Sequence, residues 1–278
     1  MSSIFNYKTL QCELDKKTKS MKVFLTRPKS RNSLNTEVLF ELESLLAWCG
    51  NKTEINTILF SSKEDYFSVG LDKEELKNWD YENINKFNNK LQKIVNAMSF
   101  LPQTVIFDLG DCTWNHALEL SLGADIRVAS QQTDLRFDFL TRGLVPSCGG
   151  VRLLEKLVGK SKAKYWILTA KRIEHTELTQ SGLVHDTYTN NREFFINSLL
   201  NDLNKTAPIA RMQAKRSLLE SDIENMDHLS NKEAEFARAA HICEDWKIWA
   251  ESFDSISSDD FTSPKVMSEL INRMQDQA

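Results

Sequence analysis

The sequence has few of the residues that constrain a chain covalently or conformationally. Its 278 residues include only 5 cysteines, 5 prolines and 9 glycines. The cysteines are odd in number, far apart and never spaced as CxxC, which argues against both a disulfide framework and a zinc knuckle. We therefore expect reduced thiols and a cytoplasmic protein.

Long apolar runs and a strong charge bias are also missing. No stretch approaches the roughly 20 apolar residues that cross a bilayer, and the N-terminal sequence MSSIFNYKTLQCELD lacks the pattern of a signal peptide. The net charge of −4 gives no electrostatic reason to expect nucleic acid or an anionic membrane as a partner. A composition of 41% hydrophobic and 27% charged residues is typical of a globular protein with one sizeable core.

Strand-like and helix-like segments alternate over most of the chain. The predicted strands are 8–14, 21–26, 55–62, 104–110, 124–130 and 182–188, the first two forming a hairpin. The predicted helices are one that Thr36 caps and Gly50 stops, 81–101, about 114–122, and two short helices joined at Gly159. Parallel neighbours need crossover helices, so this order predicts an α/β fold with mainly parallel strands.

The last part of the chain is helical in pattern and contains no predicted strand. We divide the protein into a core over 1–204 and a C-terminal helical region over 205–278. Three aromatic residues in the second region stand at helical spacing and predict a packing face: Trp246, Trp249 and Phe253.

Four stretches carry a joint pattern. They are FLTRPKSRNSLN (24–35), YFSVGLDKEEL (66–76), LELSLGADIRVAS (118–130) and GLVPSCGGVRLLEKLVGKSKAKYWILTAKRI (143–173). Together they resemble the crotonase family, the enoyl-CoA hydratase/isomerase proteins. The resemblance implies a spiral of repeated ββα units and a C-terminal helical region that builds homotrimers, often paired into hexamers. It also implies an acyl-CoA thioester as substrate and no cofactor beyond the coenzyme A that the substrate carries.

The family stabilises an enolate with two backbone N–H groups that point at the thioester oxygen. FSVGLD resembles the family's F-S-x-G-x-D loop, so the resemblance makes the Leu71 N–H the first donor. Gly70 permits the tight turn that presents it. Ser68 and Asp72 belong to the same substrate-binding loop. From the loop alone, an ordinary glycine turn is the alternative.

The second donor lies where the sequence departs from the family pattern N-G-x-a-x-G-G-G-x-E-L. Counting back from Glu119, the glycines of that pattern become Asp111, Asn115, His116 and Ala117. His116 stands at the donor position, and its N–H remains available in principle. If that position needs a positive φ, a residue other than glycine costs about 1–2 kcal/mol. We also expect the imidazole to enter space that glycine leaves to the substrate.

Glu119 corresponds to the first of the family's two catalytic carboxylates. The second is expected seven residues before Pro146, where this chain has Phe139. Hydration needs both a base and an acid, and phenylalanine cannot transfer a proton, so the usual hydratase mechanism is not predicted. Asp138 is adjacent, but in an extended segment it would face away from Phe139. By periodicity alone, a solvated position is favoured for Glu119.

Several further features keep two interpretations each. His116 and Glu119 share a helix face, either as a proton relay or as an ordinary pair. Arg27, Lys29 and Arg31 resemble the basic turn beside the adenine and phosphates of CoA, although such turns are usually solvated loops. Gly149 precedes a helix whose N-terminal dipole favours an anion, or it merely marks the helix start. With Phe139 and Pro146, it is expected at the substrate pocket.

Two functions of different class remain open. The first is an acyl-CoA enzyme that moves a proton with Glu119 alone, as isomerisation permits. Decarboxylase and thioester hydrolase chemistry stay open on the same fold. The second is a non-catalytic member that binds acyl-CoA or a protein partner. A serine hydrolase is disfavoured because neither Ser68 nor Ser121 lies in a G-x-S-x-G setting. No metal is predicted, since no HExxH pattern occurs.

Overall fold

A computed structural model describes residues 5–219, 234, 237–238, 241–242 and 245–251. The strands are β1 Leu10–Asp15, β2 Ser20–Leu25, β3 Thr57–Ser62, β4 Thr104–Asp108, β5 Cys112–Trp114, β6 Ile126–Ser130, β7 Asp134–Arg136 and β8 Asp186–Tyr188. Six of them form one sheet in the order β1-β2-β3-β4-β6-β8, and β5 pairs with β7 separately. β1 and β2 are antiparallel, and the other pairs are parallel.

Helices connect the parallel strands. They are α1 Thr36–Gly50, α2 Lys73–Leu76, α3 Tyr81–Phe100, α4 His116–Leu122, α5 Arg152–Val158, α6 Lys160–Thr169, α7 His175–Gln180, α8 Arg192–Asn204, α9 over 208–219 and α10 Asp245–Glu251, with 3-10 helices at Pro28–Ser30 and Phe139–Arg142. The described residues include no helix with the length and apolar character needed to cross a bilayer.

The main sheet is buried on both faces, which explains why its central strands read as continuous apolar runs. On β3, Ile58 and Phe60 join the large core that includes α1 and α3. Leu59 points to the opposite face, where it clusters with Ile106 of β4 and Ile196 of α8. The alternation of side chains along each strand therefore supplies two cores from one sheet.

Helices α1, α2 and α3 begin where polar side chains accept backbone N–H groups. Asn35 is extended and accepts from the Val38 N–H at 3.0 Å, so it is the N-cap of α1. The prediction of Thr36 as N-cap is wrong by one residue, because the amide of Asn35 already fills the capping role. Asp72 and Asp80 cap α2 and α3 in the same way.

The sequence predicts the order and type of most elements correctly. The hairpin, the mainly parallel sheet and the helix junction at Gly159 are confirmed. The short strands β5 and β7 were missed, since three residues are too few to show a pattern. Because β5 pairs with β7, the helix predicted over 114–122 begins only at His116.

Helix α10 packs against the 3-10 helix Phe139–Arg142. Gly143 has φ +63°, and a Cβ atom there would lie 2.6 Å from the carbonyl carbon of Asp245. Trp246 is fully buried, and its indole N–H donates to the His241 carbonyl at 3.2 Å. The packing face is confirmed for Trp246, whereas the side chain of Trp249 and all of Phe253 lie outside the described residues. The boundary between 1–204 and 205–278 stays a prediction.

Candidate active site

The loop around Gly70 lies directly against the start of α4. Gly70 has φ +89°, and a Cβ atom there would be 2.8 Å from the Trp114 carbonyl oxygen and 3.5 Å from the His116 nitrogen. The loop is held by Ser68, whose hydroxyl accepts from the Gly70 N–H at 3.1 Å. Only glycine permits this approach. The backbone N–H groups of Leu71 and His116 are therefore carried by two segments in contact.

A positive φ does occur in the altered glycine segment, but at Asn115 and not at His116. Asn115 has φ 49° and ψ −119°, while His116 begins α4. The Asn115 N–H donates to the Arg136 carbonyl at 2.9 Å, and its side-chain amide donates to Asp138. Asparagine tolerates a positive φ better than most residues. The strain expected at His116 is thus taken up by its neighbour.

The imidazole of His116 lies in an aromatic environment. It is 1% exposed, and its ring centroid is 4.9 Å from that of Phe139 and 6.0 Å from that of Phe87. Burial, assisted by the positive charges of Arg142 and His241, lowers the pKa of His116 to about 3. The ring is therefore neutral at pH 7, and it occupies space that a glycine would leave empty.

Glu119 is fully buried, so the interpretation of a solvated helix glutamate is wrong. Its Oε1 accepts the backbone N–H groups of Ser147 at 3.0 Å, Cys148 at 3.0 Å and Gly150 at 2.9 Å. A Cβ atom on Gly150 would lie 2.3 Å from this oxygen. Three donors stabilise the negative charge of the carboxylate. The turn over 147–150 thus determines the orientation of the carboxylate, although Ser147 lies 28 residues from Glu119 in the sequence.

The two buried groups of α4 do not form a relay in this structure. Both ring nitrogens of His116 lack a hydrogen-bond partner among the described residues. The carboxylate of Glu119 instead contacts the turn over 147–150, which includes Gly149 at φ +105° and follows the buried Pro146. His116 and Glu119 therefore share one turn of α4, but no hydrogen bond connects their side chains.

Phe139 is fully buried and begins a 3-10 helix, so the segment is not extended and the argument from opposite strand faces does not apply to Asp138. Asp138 precedes that helix, and its carboxylate pairs with Arg142 at 3.1 Å while accepting the Asn115 amide. The 3-10 turn forms because Gly143 ends it in the left-handed conformation. The carboxylate next to Phe139 is thereby committed to a structural contact.

A pocket of about 290 Å³ opens beside the loop around Gly70. Its lining includes Leu71, Trp114 and three basic residues, Arg31, Lys73 and Arg142. The guanidinium of Arg31 lies over the Trp114 ring, 5.2 Å from its centroid. Burial is the main cause that lowers the pKa of Lys73; the charges of Lys77 and Arg142 act in the same direction, and that of Glu74, also in the lining, acts against it. Sequence reasoning missed Lys73, Trp114 and Arg142, since three separate segments contribute them.

The basic turn predicted to bind CoA divides into two kinds of residue. Arg27 pairs with Asp72 at 2.7 Å and donates to Ser33, so it stabilises the loop around Gly70. Burial alone would raise the pKa of Asp72, but hydrogen bonds from the Glu75 N–H, Arg27 and Ser33 lower it overall. Lys29 is exposed at the protein surface. The predicted roles of Arg27 and Lys29 in binding substrate stay predictions.

Among the residues that the structure describes, no group of three or more His, Cys, Asp or Glu side chains is placed to hold a metal ion. The expectation that neither a metal nor a cofactor is required stays a prediction.

Comparison with known proteins gives a consistent result. The enoyl-CoA hydratase/isomerase family model matches residues 16–242. Human enoyl-CoA hydratase domain-containing protein 2, mitochondrial, is 29% identical over 172 residues, which cover 62% of this chain and 59% of that protein. The short-chain-enoyl-CoA hydratase of Clostridium acetobutylicum is 30% identical over 173 residues, covering 62% and 66%. The aligned region thus spans less than two thirds of each of these relatives.

Solved structures share the fold. An enoyl-CoA hydratase from Bacillus halodurans superposes with a TM-score of 0.80 at 20% identity, covering 88% of this chain and 99% of that one. An enoyl-CoA hydratase from Mycobacterium avium subsp. paratuberculosis K-10 gives 0.80 at 19% identity, covering 90% and 100%. The α/β crotonase-type fold predicted from the sequence is confirmed, and the chain belongs to the enoyl-CoA hydratase/isomerase family.

Proposed function

We propose that the protein binds an acyl-CoA thioester and moves a proton on it with a single carboxylate, Glu119. The observation that carries this proposal is the contact between the Gly70 loop and the start of α4. That contact brings the N–H groups of Leu71 and His116 to neighbouring positions, one helical turn before the buried glutamate. Two N–H donors next to a carboxylate are the parts that enolate chemistry needs.

In the proposed reaction, Glu119 takes a proton from a carbon made acidic by the thioester. The electron pair of that C–H bond moves to the carbonyl oxygen, where the N–H groups of Leu71 and His116 stabilise the negative charge. The carboxyl group then returns the proton to a different carbon, which shifts the double bond and leaves the composition unchanged. Hydration would need a second proton-transfer group, and Phe139 cannot supply it.

The pocket of about 290 Å³ is the proposed site for the CoA moiety. Arg31 and Lys73 bring positive charge to its wall, which suits the phosphates of coenzyme A. The indole of Trp114, over which the Arg31 guanidinium lies, adds an aromatic surface to the same wall. An acyl-CoA in this pocket would have its thioester end directed towards the proposed oxyanion donors.

We also propose the oligomer that the resemblance implies, a homotrimer or a hexamer. Large apolar side chains on α8, α9 and α6 are open to solvent in the isolated chain: Phe194 is 71%, Ile209 72% and Leu168 70% exposed. Exposed apolar surface of this kind is typical of protein–protein contacts. Sedimentation equilibrium measures the mass directly.

One observation favours the alternative of a catalytically depleted protein that binds a ligand or supports an assembly. Three backbone N–H groups already bind Oε1 of Glu119, which gives that oxygen a structural role in holding the turn over 147–150. In addition, the rings of His116 and Phe139 fill space beside it. Binding without proton transfer is the outcome that this alternative predicts.

The experiment is hydrogen exchange on butyryl-CoA in D2O, followed by mass spectrometry, with binding of free CoA and crotonyl-CoA measured by calorimetry. The saturated thioester gains mass whenever an enolate forms, so no net reaction is required. Glu119→Gln is expected to slow exchange by about 100-fold or more while CoA affinity persists. Glu82→Gln, a change at a 73%-exposed glutamate, is the matched control and should exchange normally.

The outcomes separate the two functions. Exchange that depends on Glu119 supports the enzyme, and chromatography of the crotonyl-CoA products then distinguishes isomerisation from hydration or thioester hydrolysis. Binding without exchange supports the depleted protein. If no CoA compound binds, both forms of the acyl-CoA proposal are wrong, and the alternative of a protein partner is favoured.

A further inference from the structure

Helix α3 brings two amide side chains into the neighbourhood of Glu119. Asn88 is 5% exposed, and the thiol of Cys148 lies 3.5 Å from its backbone carbonyl. The N–H of the same Cys148 binds the Glu119 carboxylate at 3.0 Å. One turn earlier, Oδ1 of Asn85 lies 3.0 Å from Nδ1 of His241. Amide and imidazole groups therefore stand beside the proposed reaction site, where a purely alkyl acyl chain would call for apolar side chains.

Several of these polar atoms are buried and have no hydrogen-bond partner among the described residues. They are Nδ2 of Asn88, Nδ1 and Nε2 of His116, and Nε2 of His241. The three side chains are 5%, 1% and 0% exposed. Buried polar atoms in folded proteins are nearly always paired, and an unpaired one destabilises the fold. These atoms come from α3, α4 and the C-terminal segment, so no single local distortion explains them.

The three side chains belong to one neighbourhood. The ring of His116 lies 6.0 Å from Phe87, the residue before Asn88 in the chain. His241 reaches the same helix, since its Nδ1 lies 3.0 Å from Oδ1 of Asn85, one turn before Asn88 on α3. His116 and Glu119 also occupy one turn of α4. The three side chains thus lie on or against α3 and α4, and α4 carries the carboxylate that the proposed function uses.

We infer that Asn88, His116 and His241 form a subsite for an acyl group that carries a neutral oxygen, a hydroxyl or a keto group, in addition to the thioester carbonyl. This inference rests on the proposed function, because it specifies the substrate of the same site. A hydroxyl group donates and accepts hydrogen bonds, and a keto group accepts them. An alkyl chain of the same size would leave every one of the buried polar atoms unpaired.

Charge decides between a neutral oxygen and a carboxylate. Burial lowers the pKa of His116 to about 3 and that of His241 to about 4, so both rings are uncharged at pH 7. The neutral ring of His116 offers one N–H donor and one acceptor nitrogen, whereas His241 donates its Nδ1–H to Oδ1 of Asn85 and offers only Nε2 as an acceptor, a set that matches a hydroxyl group. A carboxylate would need a cation, and Arg142 is already paired with Asp138 at 3.1 Å.

The test compares acyl-CoA pairs that differ only by a hydroxyl in place of a methyl group. The pairs are 4-hydroxybutyryl-CoA with pentanoyl-CoA, and 3-hydroxybutyryl-CoA with 3-methylbutyryl-CoA. In one pair at least, we expect the hydroxyl compound to bind roughly 10-fold or more tightly, because the methyl compound leaves buried polar groups unpaired. Succinyl-CoA, which carries a carboxylate, should bind less tightly than the preferred hydroxyl compound.

Isosteric substitutions locate the subsite. Asn88→Leu and His241→Leu are expected to reduce the hydroxyl preference several-fold or abolish it. Asn89→Leu, at the exposed position next in the same helix, is the matched control and should retain the preference. Circular dichroism and thermal unfolding confirm that each variant is folded before its affinity is compared.

Equal affinity for both members of both pairs would overturn the inference while leaving acyl-CoA binding intact, since water would then be the partner of the unpaired atoms. A preference for succinyl-CoA would overturn it in favour of an anionic acyl group. Failure to bind every CoA compound, free CoA included, would overturn the proposed function and this inference with it. A preference that survives both Asn88→Leu and His241→Leu would also contradict the assignment.

Discussion

The ring of His116 packs edge-on against the ring of Phe139, with centroids 4.9 Å apart and an interplanar angle of 61°. These are the residues at which the sequence departs from the family's oxyanion glycine and from its second catalytic carboxylate. Their contact makes the two departures one packing unit, because the phenyl ring fills the space beside the imidazole. The changes at the site are therefore coupled.

This coupling predicts that hydratase chemistry returns only when both positions are changed. Phe139→Glu alone would place a carboxylate against a buried imidazole, and His116→Gly alone would leave a cavity beside Phe139. The double variant His116→Gly/Phe139→Glu removes the ring and supplies a second proton-transfer group. We expect it to hydrate crotonyl-CoA at least about 10-fold faster than either single variant. Loss of absorbance of the conjugated thioester measures the rate. Equal rates in all three variants would contradict the coupling.

A second prediction concerns the structural role of Glu119. Glu119→Leu leaves the N–H groups of Ser147, Cys148 and Gly150 buried without their acceptor, whereas Glu119→Gln retains an acceptor oxygen. We expect the leucine variant to lose about 3 kcal/mol or more of unfolding free energy, and the glutamine variant much less. Urea denaturation gives both values. If the two variants are equally stable, the carboxylate does not hold the turn over 147–150.

Gly70→Ala is predicted to damage the site through a steric clash as well as through backbone strain. Gly70 has φ +89° and Gly159 has φ +80°, so the backbone conformations are similar. A Cβ atom on Gly159, however, would meet nothing within 4 Å. The Gly159→Ala variant therefore measures the backbone cost alone, about 1 kcal/mol. Gly70→Ala should cost clearly more and should also abolish hydrogen exchange on butyryl-CoA. Thermal unfolding and the exchange assay test the pair together.

The two arginines of the basic turn should give opposite results. Arg27→Ala breaks the ion pair with Asp72 and is expected to cost on the order of 2 kcal/mol of stability. Arg31→Ala removes a cation from the wall of the pocket, so CoA affinity should fall several-fold with little change in stability. Calorimetric titration and urea denaturation on both variants separate the effects. A loss of CoA affinity confined to Arg27→Ala would reverse the assignment.

Stability is predicted to fall between pH 7 and pH 5 because of the buried histidines. Burial lowers the pKa of His116 to about 3 and that of His241 to about 4, while an unfolded histidine titrates near about 6.5. Below that value the unfolded chain binds protons that the folded chain does not, so acid favours unfolding. Each histidine should contribute on the order of 2 kcal/mol of this loss by pH 5.

The variant His116→Phe isolates one of these contributions. Urea denaturation at pH 7 and pH 5 should show a smaller loss of stability in the variant than in the native chain. The carboxylate of Asp72, whose pKa is lowered, loses its contribution only below about pH 4, so it does not interfere in this range. An unchanged pH dependence would show that His116 titrates normally in the folded protein.

Local chemistry is sufficient to predict much of the fold. Apolar runs such as 55–62 can only be buried strands, and Gly159 can only separate two helices at that point of the pattern. FSVGLD fixes the turn at Gly70, because glycine alone tolerates its positive φ beside a neighbouring backbone. These features depend on a few consecutive residues, which is why they can be read from the sequence.

The candidate active-site segment can likewise be located from the sequence, but its geometry cannot. The sequence marks Glu119, His116 and Phe139 as special positions. It does not reveal that Asn115 carries the positive φ, or that Asp138 is held by Arg142 on a 3-10 turn. Both outcomes depend on the pairing of β5 with β7, and these two strands are too short to be recognised from the sequence pattern.

By itself, then, the sequence determines the α/β class, the order of the elements and the positions where this chain differs from its family. Only the tertiary structure decides that Glu119 is buried against the turn over 147–150, that His116 packs on Phe139, and that Arg27 supports the loop whose pocket Arg31 lines. The reason is physical: burial, pairing and charge compensation are properties of residues that meet in space, and these partners are separated by 20 or more residues along the chain, as the 23 between Asn115 and Asp138 illustrate.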